Sequence, residues 1–349
     1  MSKTSEGRAA RFLGGLGCCL LLWAVGTSCA SELRAIDQLP ESCEASAFGP
    51  GDYQRDLSVG GTTRSYLVHV PASYVRGEPM PVVLNFHGGG GNPSSQVELT
   101  GMNDAADRAG FIAVYPAGSG RLKKFLTFNA GSCCGYARDQ KVDDVRFVEA
   151  LLDDLARIFC VDAGRVYATG HSNGAMMSYR LACDLSDRIA AVAAVAGPMG
   201  IEDCRPSRPV PILHFHGTAD QCAPIAGGAG KSKDAGTFRS VDSSLSQWMK
   251  INGCDGKPTV SYQRANVTCT THGGGRDGAE VTLCTLAGGG HAWPGGRKYP
   301  AEKICGGTLS QEVSANDLMW EFFQRHPMPG AEPPRPREGE RRVRPAKDE

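Results

Sequence analysis

The sequence predicts an α/β fold, with a mostly parallel central sheet, helices on both faces and a single domain. Short runs of β-branched and aliphatic residues alternate with segments of helical periodicity, which is the pattern of parallel strands joined by helices. Several of these runs are apolar throughout, as strands buried on both faces require. The predicted strands are Arg64–Val70, Val82–Phe86, Phe111–Tyr115, Arg165–Thr169, Ile189–Val195, Val210–Phe215 and Glu280–Leu286.

Three helices have clear periodicity or end signals. The first carries apolar residues at spacings of three and four: Val145, Val148, Leu152, Leu155 and Phe159. Two acidic residues, Asp143 and Asp144, precede them and suit the positive N-terminal end of a helix. A second is predicted from Val241 to Asn252, where Gly253 would close it. A third should begin at Ser314, with Asp317 completing a capping box, and end before Pro327.

Residues 1–30 have the features of an export signal. A basic start precedes an apolar segment from Phe12 to Val25, and Ser28-Cys29-Ala30 has the small-x-small pattern that a signal peptidase requires. Acylation of Cys29, as in a lipoprotein, is the weaker alternative because Gly26 stands where a Leu-like residue is expected. We therefore expect a secreted protein, extracellular or periplasmic.

The rest of the chain divides by composition. Residues 52–326 contain the predicted strands and helices and form the predicted domain, residues 31–51 are a leader segment, and residues 327–349 are a Pro- and charge-rich tail predicted to be disordered. Lys and Arg number 37 and Asp and Glu number 37, so bulk charge does not favour nucleic-acid binding. No apolar run reaches the roughly 20 residues that a membrane-spanning helix needs.

Cysteine usage agrees with export. Of the 14 cysteines, Cys18, Cys19 and Cys29 fall in the predicted signal, which leaves eleven, many for a cytosolic protein but usual where disulfides form. There is no CxxC pair, so zinc ligation is not indicated. An odd count leaves at least one thiol outside intramolecular pairs. Sequence does not give connectivity, although proximity suggests Cys183–Cys204 and Cys254–Cys269.

A candidate nucleophile lies in Gly170-His171-Ser172-Asn173-Gly174, which has the form G-x-S-x-G. The motif follows the strand Arg165–Thr169 directly and opens a helical segment. A serine on such a sharp strand-to-helix turn needs small neighbours, because a Cβ there would collide with adjacent backbone. An ordinary glycine-rich turn is the alternative, which this context disfavours. We predict that Ser172 is a nucleophile.

A nucleophilic serine needs a base, and the base needs an orienting acid. Asp220 follows the strand Val210–Phe215, and His291 lies in a glycine-rich loop after the last predicted strand, so both fall where ligands bind in α/β sheets. We predict them as acid and base. Other candidates are Glu202, Asp203, Asp234 and Asp255 for the acid, and His214 and His216 for the base. A metal site from His214, His216 and Asp220 is disfavoured because no further ligand has suitable spacing.

Acyl transfer through a serine also needs two backbone amides that bind an oxyanion. One should belong to Asn173, directly after the nucleophile. The other should belong to the loop His87-Gly88-Gly89-Gly90-Gly91, where we favour Gly89 and keep Gly88 as the alternative. No Lys-Ser/Thr follows this loop, so a phosphate-binding P-loop is disfavoured.

The motifs together resemble those of the secreted esterase family that groups polyhydroxybutyrate depolymerases with feruloyl and acetylxylan esterases. The resemblance covers roughly Arg55 to His326. The motifs are Asn85-Phe86-His87-Gly88, Asn129-Ala130-Gly131-Ser132-Cys133-Cys134-Gly135, Val142-Asp143-Asp144-Val145, Gly170-His171-Ser172-Asn173-Gly174-Ala175-Met176, His216-Gly217-Thr218-Ala219-Asp220 and Gly290-His291-Ala292-Trp293-Pro294-Gly295. It implies an α/β-hydrolase fold in which Ser172, Asp220 and His291 are nucleophile, acid and base.

The sequence thus predicts a secreted serine carboxylesterase that needs no cofactor and no metal. Expected substrates are hydroxyalkanoate esters or oligomers, or feruloyl and acetyl esters on plant polysaccharides. Trp293, beside the base, and His87, at the start of the glycine run, are expected to contact the substrate. The alternatives are a prolyl-oligopeptidase-like serine peptidase with the same triad and a non-catalytic binding protein on the same scaffold.

Overall fold

A ten-stranded sheet forms the centre of the structure, a computed structural model that describes Cys43 and residues 48–122, 124–231, 236–298 and 302–331. The strands are β1 (Gly51–Val59), β2 (Thr62–Val70), β3 (Met80–Phe86), β4 (Ile112–Pro116), β5 (Val161–His171), β6 (Ala191–Val195), β7 (Ile212–Gly217), β10 (Thr259–Arg264), β11 (Val267–His272) and β12 (Val281–Leu286). The short strands β8 (Gly228–Ala229) and β9 (Thr237–Phe238) pair with each other. The helices are α1 (Pro93–Thr100), α2 (Met102–Ala109), α3 (Gly135–Asp139), α4 (Asp144–Ile158), α5 (Asn173–Asp184), α6 (Val241–Asn252), α7 (Glu302–Cys305) and α8 (Ala315–Arg325).

The strand order is β1-β2-β4-β3-β5-β6-β7-β12-β11-β10. The six central strands, β4, β3, β5, β6, β7 and β12, run parallel to one another. At the two margins, β1, β2, β11 and β10 pair antiparallel with their neighbours. The predicted mostly parallel sheet is therefore confirmed, with antiparallel edges. The carboxyl ends of the parallel strands meet at one edge, where the loops after β3, β5, β7 and β12 converge.

Helices cover both faces of the sheet, as predicted. Strand β3 is buried throughout, and its alternate residues belong to different cores: Val82 and Leu84 pack with α4, α5 and α6, while Val83 packs with α1, α2 and α8. A strand with apolar residues on both faces is the expected consequence of this three-layer arrangement. The two cores enclose the central strands beneath the loops at their carboxyl ends.

The predicted elements form with small shifts at their ends. Helix α6 has the predicted bounds, and Gly253 closes it at φ 74°. In α4 the side chain of Asp143 accepts a hydrogen bond from the Arg146 amide. The Ser314 side chain likewise accepts from the Asp317 amide at the start of α8, but the Asp317 carboxylate pairs with Arg108, so the capping box is only half formed.

Five strands, β1, β8, β9, β10 and β11, were not among the predicted ones. Strand β1 alternates half-buried with exposed residues, and five of the six residues of β10 are exposed. Both lie at margins of the sheet, where strands carry many polar side chains and lack the apolar runs that identify central strands.

Most of the predicted terminal segments fall outside the described residues. The export signal 1–30 lies entirely outside them, as do most of the leader 31–51 and residues 332–349 of the tail. The first tail residues are described, and the Met328 amide donates to the Gly164 carbonyl at 2.8 Å. Structure therefore continues past the predicted domain end at His326. No helix in the described part of the chain is long and apolar enough to cross a membrane.

Ten of the cysteines in the described residues form five disulfides: Cys43–Cys160, Cys133–Cys134, Cys183–Cys204, Cys222–Cys305 and Cys269–Cys284. The predicted Cys183–Cys204 pair is confirmed. The predicted Cys254–Cys269 pair is wrong, because the register of β11 and β12 places Cys269 opposite Cys284. Cys254 is the free thiol in this part of the chain, in agreement with the odd count.

Candidate active site

Ser172 lies at the turn between the end of β5 and the start of α5. Its backbone has φ 56° and ψ −116°, a conformation that L-residues rarely adopt and that occurs mainly at functional positions. The Ser172 amide donates to the Val195 carbonyl of the neighbouring strand at 2.8 Å, which fixes the turn to the sheet. The half-buried serine side chain is therefore presented at the carboxyl edge of the sheet.

Three glycines leave the space that this turn requires. A Cβ on Gly174 would collide with the Phe86 carbonyl oxygen, and one on Gly197 would collide with the Ser172 carbonyl oxygen. A Cβ on Gly170 would lie 2.5 Å from the carbonyl carbon of Gly174. The sequence argument for glycine on both sides of the serine therefore has a specific steric cause here.

Asp220 and His291, 71 positions apart, are joined by a hydrogen bond of 2.7 Å between Asp220 Oδ2 and His291 Nδ1. The other carboxylate oxygen, Oδ1, accepts from the amides of Cys222 and Ala223 at 2.8 and 2.9 Å. Burial alone would raise the pKa of Asp220, but its bonds to His291 and to the Ala223 amide outweigh this and lower it. The carboxylate is therefore ionised at neutral pH and orients the imidazole.

The imidazole of His291 lies beside the serine turn. Its ring centroid is 4.7 Å from that of His171, the residue directly before Ser172. Burial lowers the pKa of His171 to about 3, and the neighbouring His291 acts in the same direction, so His171 is neutral. Because Nδ1 of His291 is bound to Asp220, its Nε2 is the nitrogen left to act on a nearby hydroxyl.

The other candidates for acid and base are placed elsewhere. Asp203 forms an ion pair with Arg205 at the surface, Glu202 and Asp255 are exposed, and Asp234 lies outside the described residues. His214 and His216 are completely buried in or at the end of β7. Of the predicted acids, Asp220 is therefore the one that the structure joins to His291.

The glycine loop after β3 lies against the serine turn. A Cβ on Gly88 would be 3.5 Å from the Ser172 Cβ, and a Cβ on Gly89 would be 3.7 Å from the Asn173 Cβ. Asn173 is the first residue of α5, where backbone amides have no partner within the helix. The structure thus brings the predicted oxyanion-binding residues together, and it leaves Gly88 and Gly89 both adjacent to the turn.

The side chain of Asn173 was not expected to have a structural role. Its amide group forms two hydrogen bonds with the backbone of Phe128, accepting from the nitrogen at 2.7 Å and donating to the oxygen at 3.0 Å. Leu126, two residues before Phe128, binds the glycine loop: its carbonyl accepts from the Gly90 amide at 2.9 Å and its amide donates to the Gly91 carbonyl at 3.0 Å. The segment around Thr127 therefore holds both the glycine loop and the start of α5.

The prediction that His87 and Trp293 contact the substrate disagrees with the structure, because both side chains are buried. His87 is fully buried, with Nδ1 donating to the Gly88 carbonyl at 2.8 Å and Nε2 accepting from the Gly118 amide at 3.0 Å. Burial lowers the pKa of His87 to about 4, so it stays neutral. Trp293 is also fully buried and donates to Asn316. Both side chains support the loops from inside and are not accessible to a substrate.

No group of three or more His, Cys, Asp or Glu side chains in the described part of the chain is arranged to hold a metal ion. His214 and His216 use both ring nitrogens of each side chain in hydrogen bonds to other protein groups. These bonds leave no ring nitrogen of the two histidines available as a ligand.

Comparison with known proteins identifies the family. A family model described as esterase PHB depolymerase matches residues 64–205. Feruloyl esterase B of Piromyces equi is 32% identical over 241 residues, which are 66% of this chain and 42% of that protein, so the chain spans less than half of that relative. The putative esterase NocK of Nocardia uniformis subsp. tsuyamanensis is 30% identical over 290 residues, 77% of this chain and 81% of that protein.

Among solved structures, an acetyl xylan esterase from Aspergillus awamori superposes with a TM-score of 0.50 at 15% identity, covering 78% of this chain and 99% of that one. This similarity supports the α/β-hydrolase fold, which the strand order and the serine turn of the present structure also show. The relation to NocK extends over most of both proteins. The chain therefore belongs to the esterase PHB depolymerase family.

Proposed function

We propose that the protein hydrolyses carboxylic esters through a covalent acyl-enzyme formed on Ser172. The observation that carries this proposal is the hydrogen bond of 2.7 Å between Asp220 and His291, two residues far apart in sequence, beside the serine turn. A nucleophile, a base and an orienting acid in chain order Ser, Asp, His are the arrangement of an α/β-hydrolase. The family membership supports the same reaction.

In the proposed mechanism, the Ser172 oxygen forms a bond to the ester carbonyl carbon while His291 Nε2 takes the hydroxyl proton. The oxyanion binds to the amides of Asn173 and of Gly89 or Gly88. The alcohol then leaves with the proton from His291, and the acyl group remains on Ser172. Water repeats the sequence in the deacylation half, giving the free acid and the original serine. Asp220 holds the imidazole in the productive tautomer throughout.

The substrate is proposed to be an ester with an apolar or aromatic acyl group, on a hydroxyalkanoate oligomer or a plant polysaccharide. Phe125, Leu122 and Tyr136 are 64%, 63% and 37% exposed and lie on either side of Leu126 in the sequence. Leu126 pairs with the glycine loop through hydrogen bonds from the Gly90 amide and to the Gly91 carbonyl. These exposed apolar side chains support the proposal of an apolar or aromatic acyl group.

The protein is proposed to act outside the cytoplasm. The five disulfides among the described residues support this location, since structural disulfides persist in oxidising compartments. Export signals in residues 1–30 are consistent with it.

Ser172→Ala tests the proposal. We expect turnover of p-nitrophenyl esters to fall by about 10⁴-fold or more and covalent labelling by a fluorophosphonate to disappear, because the nucleophile is lost. Ser178→Ala is the control, since this hydroxyl lies on the same helix and donates to the Gly174 carbonyl. Substantial turnover by a folded Ser172→Ala sample would reject the mechanism. Turnover of peptides in place of esters would favour the peptidase alternative, and an unlabelled wild-type protein would favour the binding protein.

A further inference from the structure

A line of buried hydrogen-bonded side chains runs from helix α5 to the loop that carries Asp220. The Tyr179 hydroxyl is 2.8 Å from His214 Nδ1, and His214 Nε2 is 2.9 Å from His216 Nδ1. His216 Nε2 is in turn 2.7 Å from the Ala223 carbonyl oxygen. The planes of the two imidazole rings are nearly parallel, with an interplanar angle of 7°, and all three side chains are at most 1% exposed.

The Ala223 carbonyl, at one end of this line, determines which nitrogen of each imidazole carries the proton. A carbonyl oxygen only accepts, so His216 Nε2 carries the proton and Nδ1 is the acceptor. His214 must then donate from Nε2, which leaves its Nδ1 to accept from the Tyr179 hydroxyl. One arrangement of neutral rings therefore satisfies each link, and it points the His216 N–H at the acid loop.

His216 and Asp220 bind the same residue from two sides. The Ala223 carbonyl accepts from His216 at 2.7 Å, and the Ala223 amide donates to Asp220 Oδ1 at 2.9 Å. His216 Nε2 is also 3.5 Å from Asp220 Oδ2, the oxygen that binds His291. The turn from Asp220 to Ala223 is thus closed around the His216 ring.

We propose that His216 is a positioning residue for the ester-hydrolysing reaction: its Nε2–H holds the Ala223 carbonyl, and so aims the Asp220 carboxylate at His291. This inference rests on the proposed function. His214 and Tyr179 set the direction of the His216 donor and keep its ring in place.

The neutral state of the two rings suits this role. Burial lowers the pKa of His214 far below its ordinary value and lowers that of His216, which the nearby Asp220 only partly opposes. A charged His216 would compete with His291 for the Asp220 carboxylate, whereas a neutral N–H holds the loop without drawing the carboxylate away. The line of side chains therefore supplies a fixed donor with no added charge.

The comparison of His216→Gln with His216→Asn tests the proposal. The longer Gln side chain places an amide N–H near the position of Nε2 and can still donate to the Ala223 carbonyl, whereas Asn reaches only as far as Nδ1. We expect His216→Asn to lower kcat by about 100-fold with KM changed less than about 2-fold, because the acid is misplaced but the substrate site is not. His216→Gln should recover kcat to within about 5-fold of the wild type.

Hydrogen exchange provides a second readout that does not depend on turnover. The amides of Cys222 and Ala223, which donate to Asp220, should exchange faster in His216→Asn and at the wild-type rate in His216→Gln. Tyr179→Phe removes the hydroxyl that donates to His214, at the end of the line away from Ala223. It should change both measurements less than His216→Asn does.

Equal kcat values and equal exchange in the Gln and Asn variants would overturn the positioning role. A wild-type protein that turns over no ester would reject the proposed function, but the exchange of Cys222 and Ala223 would still show whether His216 holds the acid loop. The two failures are therefore distinguishable.

Discussion

The serine turn and the acid loop reach the same edge of the sheet, but different kinds of interaction hold them. At the serine turn, Gly170, Gly174 and Gly197 leave the space that lets backbone segments approach one another closely. At the acid loop, Asp220 is held by backbone amides, by a buried imidazole and by the Cys222–Cys305 disulfide, which joins positions 83 residues apart.

This difference indicates how each half of the site tolerates change. The geometry of the serine turn requires that its glycines carry no side chain, because an added Cβ would collide with neighbouring backbone. The geometry of the acid loop depends on bonds that are present, so its tolerance depends on whether a replacement restores the bond. One half should therefore respond to the size of a substituted side chain and the other to its hydrogen-bonding and cross-linking chemistry.

The largest effect is expected for Gly174→Ala. The added Cβ would collide with the Phe86 carbonyl oxygen, so the turn or the end of β3 must move. We expect the free energy of unfolding to fall by about 3 kcal/mol and kcat for p-nitrophenyl acetate to fall by about 100-fold or more. Denaturant unfolding and steady-state kinetics measure the two quantities.

Gly273→Ala is the matched control for this change. A Cβ at Gly273 has nothing within 4 Å, and its backbone is not in the left-handed region. We expect this variant to keep wild-type kcat and stability. A Gly174→Ala enzyme with wild-type kcat would show that the turn is not held by close backbone contacts.

A smaller effect on kcat is expected when Cys222 and Cys305 are both replaced by Ala. Closure of the loop between them should stabilise the fold by about 4–5 kcal/mol, against about 3 kcal/mol for Cys183–Cys204, whose sequence separation is 21. Because the first disulfide anchors the acid loop, its loss should also lower kcat by about 10-fold. The Cys183→Ala/Cys204→Ala control should lose stability but keep kcat. Equal kcat values in the two double variants would contradict a role of this disulfide at the site.

The contrast between the two regions also explains what the sequence could predict. The serine turn is local: Gly170, Ser172 and Gly174 lie within five positions, so motif and context suffice to find it. Asp220 and His291 were found because each follows a buried strand at its carboxyl end. Their mutual contact follows from the strand order, in which β7 and β12 are neighbours.

Long-range contacts were beyond the sequence argument. Nothing near Cys222 indicates Cys305 as its partner, and nothing near His214 indicates Tyr179 on another element. The roles of His87 and Trp293 were misjudged for the same reason: proximity to the site in sequence does not reveal whether a side chain points into the core or towards a substrate. Burial is a property of the packed layers, which sequence position does not give.

The smallest expected effect concerns the surface beside the glycine loop. Phe125→Ser removes an exposed aromatic side chain that a bound acyl group could contact, so kcat/KM for methyl ferulate should fall by about 5-fold, equivalent to about 1 kcal/mol. Turnover of p-nitrophenyl acetate, whose acyl group is short and carries no aromatic ring, should not change. Val75→Ser is the control, because Val75 is 50% exposed and precedes β3 at the opposite edge of the sheet. Equal losses for both esters would place Phe125 outside the acyl site. Its exposed ring would then have no part in substrate selection.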